Sequence, residues 1–170
     1  MPKVLISDKL SPRAAKLFTE RGIDVDVKPG LSPNQLLNII GDYDGLAIRS
    51  ATKVTEEVLD AAGNLKVVGR AGIGIDNVDI GAATKRGVIV MNTPHGNSVT
   101  TAEHAITMIL ALARQIPEAN TSTKAGKWEK SRFMGTEITG KTLGLIGCGN
   151  IGTIVAERAQ GLKMRVVGYD

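Results

Sequence analysis

Thr142-Leu143-Gly144-Leu145-Ile146-Gly147-Cys148-Gly149-Asn150-Ile151-Gly152 is the stretch that decides the fold. It reads as an apolar strand running straight into a G-x-G-x-x-G turn. A helix with Ile154, Val155 and Ala159 on its apolar side follows, and then a second strand, Arg165-Val166-Val167-Gly168-Tyr169, closing on Asp170. Each glycine has a steric job in such a unit. Gly147 permits a tight turn, Gly149 lets backbone approach a pyrophosphate, and Gly152 lets helix and strand pack closely. The helix N-terminus offers free amides and a positive dipole end to phosphates. Asp170 is placed to accept hydrogen bonds from a ribose diol and to repel a 2′-phosphate, which favours NAD over NADP. A purely structural turn is the plainer alternative, but strand, turn, helix, strand and acid all agree with a dinucleotide site. Cys148 reads as a small packed residue, since no histidine lies beside it to activate a thiol.

Upstream, short apolar runs alternate with amphipathic stretches. Val4 to Ile6, Ile23 to Val27, Leu46 to Ile48, Leu65 to Val68 and Val88 to Met91 read as strands. Ser11-Pro12 and Ser32-Pro33 read as helix starts, with Ser as the cap and Pro in the first turn, and Thr55 reads as a third cap. Gly22, Gly41 and Gly63 end those helices. Short, continuously apolar strands separated by helices predict a parallel sheet covered on both faces. Residues 1–97 are thus expected to form a flavodoxin-like α/β domain, and 98–170 to begin a Rossmann domain with its first βαβ unit.

A helix is expected from Thr100 or Thr101. It is apolar nearly all round from Ala105 to Ala113, so it should be buried between domains or subunits. Residues 115–141 are polar, with Trp128 and Phe133 as isolated anchors. Aromatic residues are only 3% of the chain, so the core must be aliphatic. The net charge of +4 is scattered, which suits an anionic small ligand and does not argue for nucleic acid. The one cysteine excludes an internal disulfide and fits a reducing cytosol. No signal-peptide pattern opens the sequence and no apolar run is long enough to span a bilayer, so a cytoplasmic protein without a membrane partner is expected.

Three loops follow strands at their carboxyl ends, where ligands bind in such sheets. Arg49-Ser50-Ala51-Thr52 follows the third strand, and Arg49 can fork onto a carboxylate or phosphate, or make a surface ion pair. Arg70-Ala71-Gly72-Ile73-Gly74-Ile75-Asp76 follows the fourth, and its glycines would let amides reach an oxyanion. Asn92-Thr93-Pro94-His95-Gly96-Asn97-Ser98 follows the fifth. His95 and His104 are read as hydrogen-bonded structural residues.

With these segments in view, the chain resembles the D-2-hydroxyacid dehydrogenase family. The glycine turn and Asn92-Thr93-Pro94 are shared across that family. Arg49-Ser50-Ala51-Thr52, Gly69-Arg70-Ala71-Gly72 and Phe133-Met134-Gly135-Thr136-Glu137 resemble the branch that oxidises 3-phosphoglycerate to 3-phosphohydroxypyruvate with NAD, opening a route to serine. The resemblance implies a small phosphorylated hydroxy-acid substrate held by Arg49 and Ser50. It implies that Ala71, Gly72 and Ile73 line the substrate and nicotinamide side of a cleft, and that Asn97 lies near a hinge. Asn150 and Ile151 would meet the pyrophosphate and Asp170 the adenosine ribose. Lys130 or Arg132 is the candidate to reach a partner subunit, and the helix after Thr100 the homo-oligomer contact. The family's Arg, Glu and His of hydride transfer have no counterpart in residues 1–170, so no catalytic residue is assigned and this chain alone is expected to be inactive. No metal ligand set is seen. The alternatives are another dehydrogenase of the family, acting on glycerate or a related acid, or an NAD-responsive scaffold or corepressor.

Overall fold

Helix starts obey local capping chemistry. Ser11 caps α1 (Pro12–Glu20), its hydroxyl accepting from the Arg13 amide at 3.3 Å. Ser32 caps α2 (Pro33–Ile39) reciprocally: Ser32 Oγ accepts from the Gln35 amide at 3.3 Å, and Gln35 Oε1 accepts from the Ser32 amide at 2.9 Å. Thr55 caps α3 (Glu56–Ala61), and Asp79 caps α4 (Ile80–Lys85) by accepting from the Ala82 amide at 2.8 Å. These helices connect β1 (Lys3–Ile6), β2 (Asp24–Val27), β3 (Gly45–Ile48), β4 (Val67–Arg70) and β5 (Ile89–Met91). The structure, a computed structural model, describes all of residues 1–170.

All five strands are parallel, in the order β2-β1-β3-β4-β5. That is the flavodoxin-like order, with the winding direction reversing between β1 and β3. Leu5, Ile40, Leu46, Ile48, Val68 and Ala83 form the centre of an aliphatic core. β4 starts two residues later than expected. Leu65 instead ends the turn that follows α3, its amide donating to Ala62 O at 3.1 Å while its side chain enters the core.

Tyr43 is buried, and its hydroxyl donates to Asp26 Oδ2 at 2.6 Å and accepts from Lys28 Nζ at 3.1 Å. Lys3 Nζ lies 3.1 Å from the same carboxylate oxygen. The Tyr43 hydrogen bond, then Lys3, hold the Asp26 carboxyl down at about 2.

The chain divides into two compact units, Met1–Gly96 and Asn97–Asp170. The second contains α5 (Ser98–Ala113), α6 (Ile116–Lys124), a 3₁₀ turn (Lys130–Phe133), β6 (Thr142–Ile146), α7 (Asn150–Gly161) and β7 (Arg165–Tyr169). β6 and β7 pair in parallel, Thr142 opposite Arg165 and Ile146 opposite Tyr169. α5 packs on α7, and the buried residues along these two helices are small, Ala102 and Ala159, with Val155.

Two expectations for this unit are corrected, the start of α5 and the anchoring of Trp128. α5 starts at Ser98 with Asn97 as its cap, earlier than Thr100. Its apolar surface is not enclosed within the chain: Val99, Met108 and Leu112 are 50%, 47% and 73% exposed, because one side of the helix suffices to meet α7. Trp128, expected as an anchor, is 84% exposed. It follows α6, a helix absent from the sequence reading because its residues, Ile116 to Lys124, carry no apolar stripe.

Candidate functional site

In the first unit, the sheet's carboxyl ends bring the three loops onto one rim. The Ala71 amide donates to Ile48 O at 2.8 Å, tying the loop after β4 to the end of β3. The Thr93 amide donates to Gly72 O at 3.0 Å and Asn92 Nδ2 to Ile73 O at 2.7 Å, tying the loop after β5 to the loop after β4. Arg49, Ser50 and Ala71 are exposed on this rim, and Gly72 and Ile73 are partly covered. A cleft of about 460 Å³ opens beside them, lined by Ser50, Lys53, Thr55, Asp76, Asn77 and Asp79.

The glycines of the second loop act differently from the expectation. The Gly72 amide donates to Arg70 O at 2.9 Å, so in this conformation it is engaged within its own turn rather than offered to an oxyanion. Gly74 makes room for an ion pair. A Cβ there would stand 2.7 Å from Arg70 Nη1 and 2.8 Å from Asp76 Oδ1, the two groups that pair at 3.4 Å. Arg70 is accordingly mostly buried, with Nε donating to Arg49 O at 3.3 Å, while Arg49 keeps its side chain on the surface.

In the second unit, β6 ends in the glycine turn. Gly147 has φ +95°, a conformation that L side chains rarely adopt. A Cβ on Gly152 would overlap the Gly147 carbonyl oxygen, so the close approach needed here is of the turn to the first turn of α7. Gly149 precedes that helix, and no atom lies within 4 Å of where its Cβ would be. Cys148 Sγ sits where Gly168 lacks a side chain, 2.6 Å from a Cβ built there. The thiol thus packs against β7. The Cys148 amide donates to Asp170 Oδ2 at 3.0 Å and the Gly147 amide to Tyr169 O at 2.8 Å. The acid at the end of β7 is thereby joined to the turn after β6. Gly147, Gly149, Asn150, Ile151, Gly152 and Asp170 lie together as one local site.

Among the other candidates, Asn97 is exposed and caps α5. Arg132 pairs with Glu129 at 3.2 Å, and Glu129 also accepts from the Ser122 hydroxyl at 2.6 Å. The Ser122 hydrogen bond, with Arg132 beside it, lowers the Glu129 carboxyl below its ordinary value. No group of three or more His, Cys, Asp or Glu that could hold a metal ion occurs in the structure.

The family model for D-isomer specific 2-hydroxyacid dehydrogenase, catalytic domain, matches residues 4–163. The chain belongs to this family. It is 55% identical over 168 residues to D-3-phosphoglycerate dehydrogenase of Pongo abelii, and 49% identical over 168 residues to the enzyme of that name from Archaeoglobus fulgidus. Both matches take in 99% of this chain, which spans 32% of the length of each relative. A crystal structure of a Thermus thermophilus protein superposes with a TM-score of 0.90 at 36% identity, covering 98% of this chain and 55% of that one. NAD⁺-bound 3-phosphoglycerate dehydrogenase from Entamoeba histolytica superposes with a TM-score of 0.80 at 31% identity, covering 99% of this chain and 54% of that one.

Proposed function

We propose that this chain belongs to an NAD-dependent dehydrogenase that oxidises 3-phosphoglycerate to 3-phosphohydroxypyruvate, the entry to phosphorylated serine synthesis. The observation that carries this reading is the 55% identity to D-3-phosphoglycerate dehydrogenase across nearly the whole chain. NAD accepts a hydride from the substrate carbon when bound. Residues of the glycine turn would hold it. The N-terminus of α7 meets the pyrophosphate with Asn150 and Ile151, Gly149 leaves open space for it, and Asp170 takes the ribose diol. Arg49 and Ser50 receive the substrate's anionic groups, with Ala71, Gly72 and Ile73 beside them and Asn97 near the hinge. The exposed apolar side of α5 makes the homo-oligomer contact. The single, reduced cysteine fits a cytoplasmic setting.

The test is paired. In the complete protein, Asp170→Ala removes a charged acceptor, and a hydrogen bond to such a group is worth about 1.5–3 kcal/mol. NAD affinity, measured by fluorescence titration, should fall roughly ten- to a hundredfold. Arg49→Ala should raise KM for 3-phosphoglycerate while leaving NAD affinity unchanged. Activity on glycerate or formate, with none on 3-phosphoglycerate, would move the protein to another branch of the family. Residues 1–170 assayed alone should transfer no hydride, because the family's acid–base residues are not among them.

A further inference from the structure

In the loop that carries Arg49 and Ser50, the backbone amides and carbonyls of its two ends, Arg49 and Thr52, are all held by hydrogen bonds. Asp8, directly after β1, is 5% exposed. Its Oδ2 accepts from the Arg49 amide at 2.6 Å and the Thr52 amide at 3.2 Å. Its Oδ1 accepts from the Thr52 amide at 3.1 Å and the Thr52 hydroxyl at 2.8 Å. Because the Thr52 hydroxyl gives its one proton to the carboxylate, the Ser7 hydroxyl must be the donor in the 2.9 Å bond between Ser7 and Thr52.

The carbonyl side of the loop is held from the opposite direction. Asn77 Nδ2 donates to Arg49 O at 2.8 Å and to Thr52 O at 2.6 Å. The Val54 amide donates to Asn77 O at 2.8 Å and the Asp79 amide to Val54 O at 2.9 Å, so a short parallel bridge extends the clamp. The two side chains are chemically complementary to what they grip. An acceptor-only carboxylate faces N–H and O–H groups, and the two-donor end of an amide faces two carbonyls. Asn77 Oδ1, turned away from those carbonyls, is buried with no hydrogen-bond partner, a cost accepted to place both donors on the loop.

Asp8 and Arg49 follow β1 and β3, the pair between which the sheet's winding reverses. In open α/β sheets that crevice is where ligands bind. Here it is filled by the Asp8 carboxylate, and the Arg49 side chain is left facing outward on a braced backbone. We propose that Asp8 and Asn77 are positioning residues. They set the backbone of Arg49–Thr52 so that Arg49 and Ser50 meet the substrate anions in a fixed geometry. This rests on the reading that Arg49 binds substrate, and the test separates the two.

The measurement is a double-mutant cycle in the complete protein with Asp8→Asn, Arg49→Ala and the double variant. Asp8→Asn keeps the size of the side chain but puts an NH₂ where an amide must donate. KM for 3-phosphoglycerate should rise about tenfold, with NAD affinity within twofold of the unsubstituted protein. In the Arg49→Ala background the same substitution should raise KM no more than about threefold, because only Ser50 is left to position. A tenfold rise in both backgrounds shows a general structural role and overturns the proposal. No rise on Arg49→Ala alone overturns instead the reading that Arg49 binds substrate. Asn77→Ser, which leaves both anchored amides on Asp8, provides a second cycle if Asp8→Asn fails to fold. It must show the same non-additivity, and additive effects there count against the proposal equally.

Discussion

At the scale of single residues, the glycines of the dinucleotide turn separate into those the backbone needs and those a ligand needs. Gly152 is a backbone requirement, since any Cβ there overlaps Gly147 O. Gly149 is different. Its φ of −67° is ordinary for any residue and nothing surrounds its Cβ position. Gly149→Ala should therefore leave stability within about 0.5 kcal/mol, as at a surface site away from special features. It should nevertheless weaken NAD binding by about tenfold or more, by occupying space the pyrophosphate needs. Gly152→Ala should lower stability by about 1–3 kcal/mol, as an overpacked contact does. Urea denaturation with parallel NAD titration distinguishes the two, and equal effects of both substitutions would refute the division. The turn's spacing showed all three glycines in the sequence. Which had space around it depended on how closely the folded turn brings the Gly147 carbonyl to Gly152. Asp8 was passed over for a related reason. One acid after one apolar strand carries no pattern, and its four hydrogen bonds are to residues 49 and 52, distant in sequence.

At the scale of elements, strands and capped helices were legible because their causes are local. Ser-Pro starts, apolar triplets and terminal glycines act within a turn of the chain. α6 was missed because polar residues give no period, and β4 shifted because Leu65 is held in the turn after α3. The link between β1, β2 and the segment before β3 runs through Lys3, Asp26, Lys28 and Tyr43, and it gives a pH dependence. The Asp26 carboxyl lies at about 2 in the fold against an ordinary 3.8. A depressed carboxyl contributes stability that is present above its unfolded value and lost as pH falls through its folded one. The contribution should thus be whole above about pH 4 and gone below about pH 2. The urea midpoint of Asp26→Asn should lie below that of the unsubstituted protein at pH 5, and the gap should close towards pH 2. A gap independent of pH would mean that the ionised carboxylate is not the stabilising form. The side chain is 32% exposed, so solvent screens part of the effect.

At the scale of the whole molecule, the exposed apolar residues of α5 carry the remaining prediction. Single exposed apolar residues are common on protein surfaces, but Met108 and Leu112, four residues apart on α5, lie on one side of the helix. If this side joins copies of the chain, as proposed, Met108→Glu with Leu112→Glu should convert the complete protein from oligomer to monomer in light scattering. An unchanged mass would locate the contact elsewhere. No helix is long and apolar enough to cross a membrane. By itself the sequence determined the parallel α/β class, the capped helix starts at Ser11, Ser32 and Thr55, the glycine turn with its acid and the loops that hold the candidate site. Each of these is written in neighbouring residues, through capping, hydrophobic period and steric allowance. Only the tertiary structure decided that Gly72 uses its amide internally, that Gly74 leaves room for the Arg70–Asp76 pair, and that Asp8 and Asn77 clamp the Arg49 loop. The first two depend on the conformation the loop takes once β4 is anchored, and the clamp on which donors and acceptors meet across a finished sheet, and no local pattern in the chain encodes either.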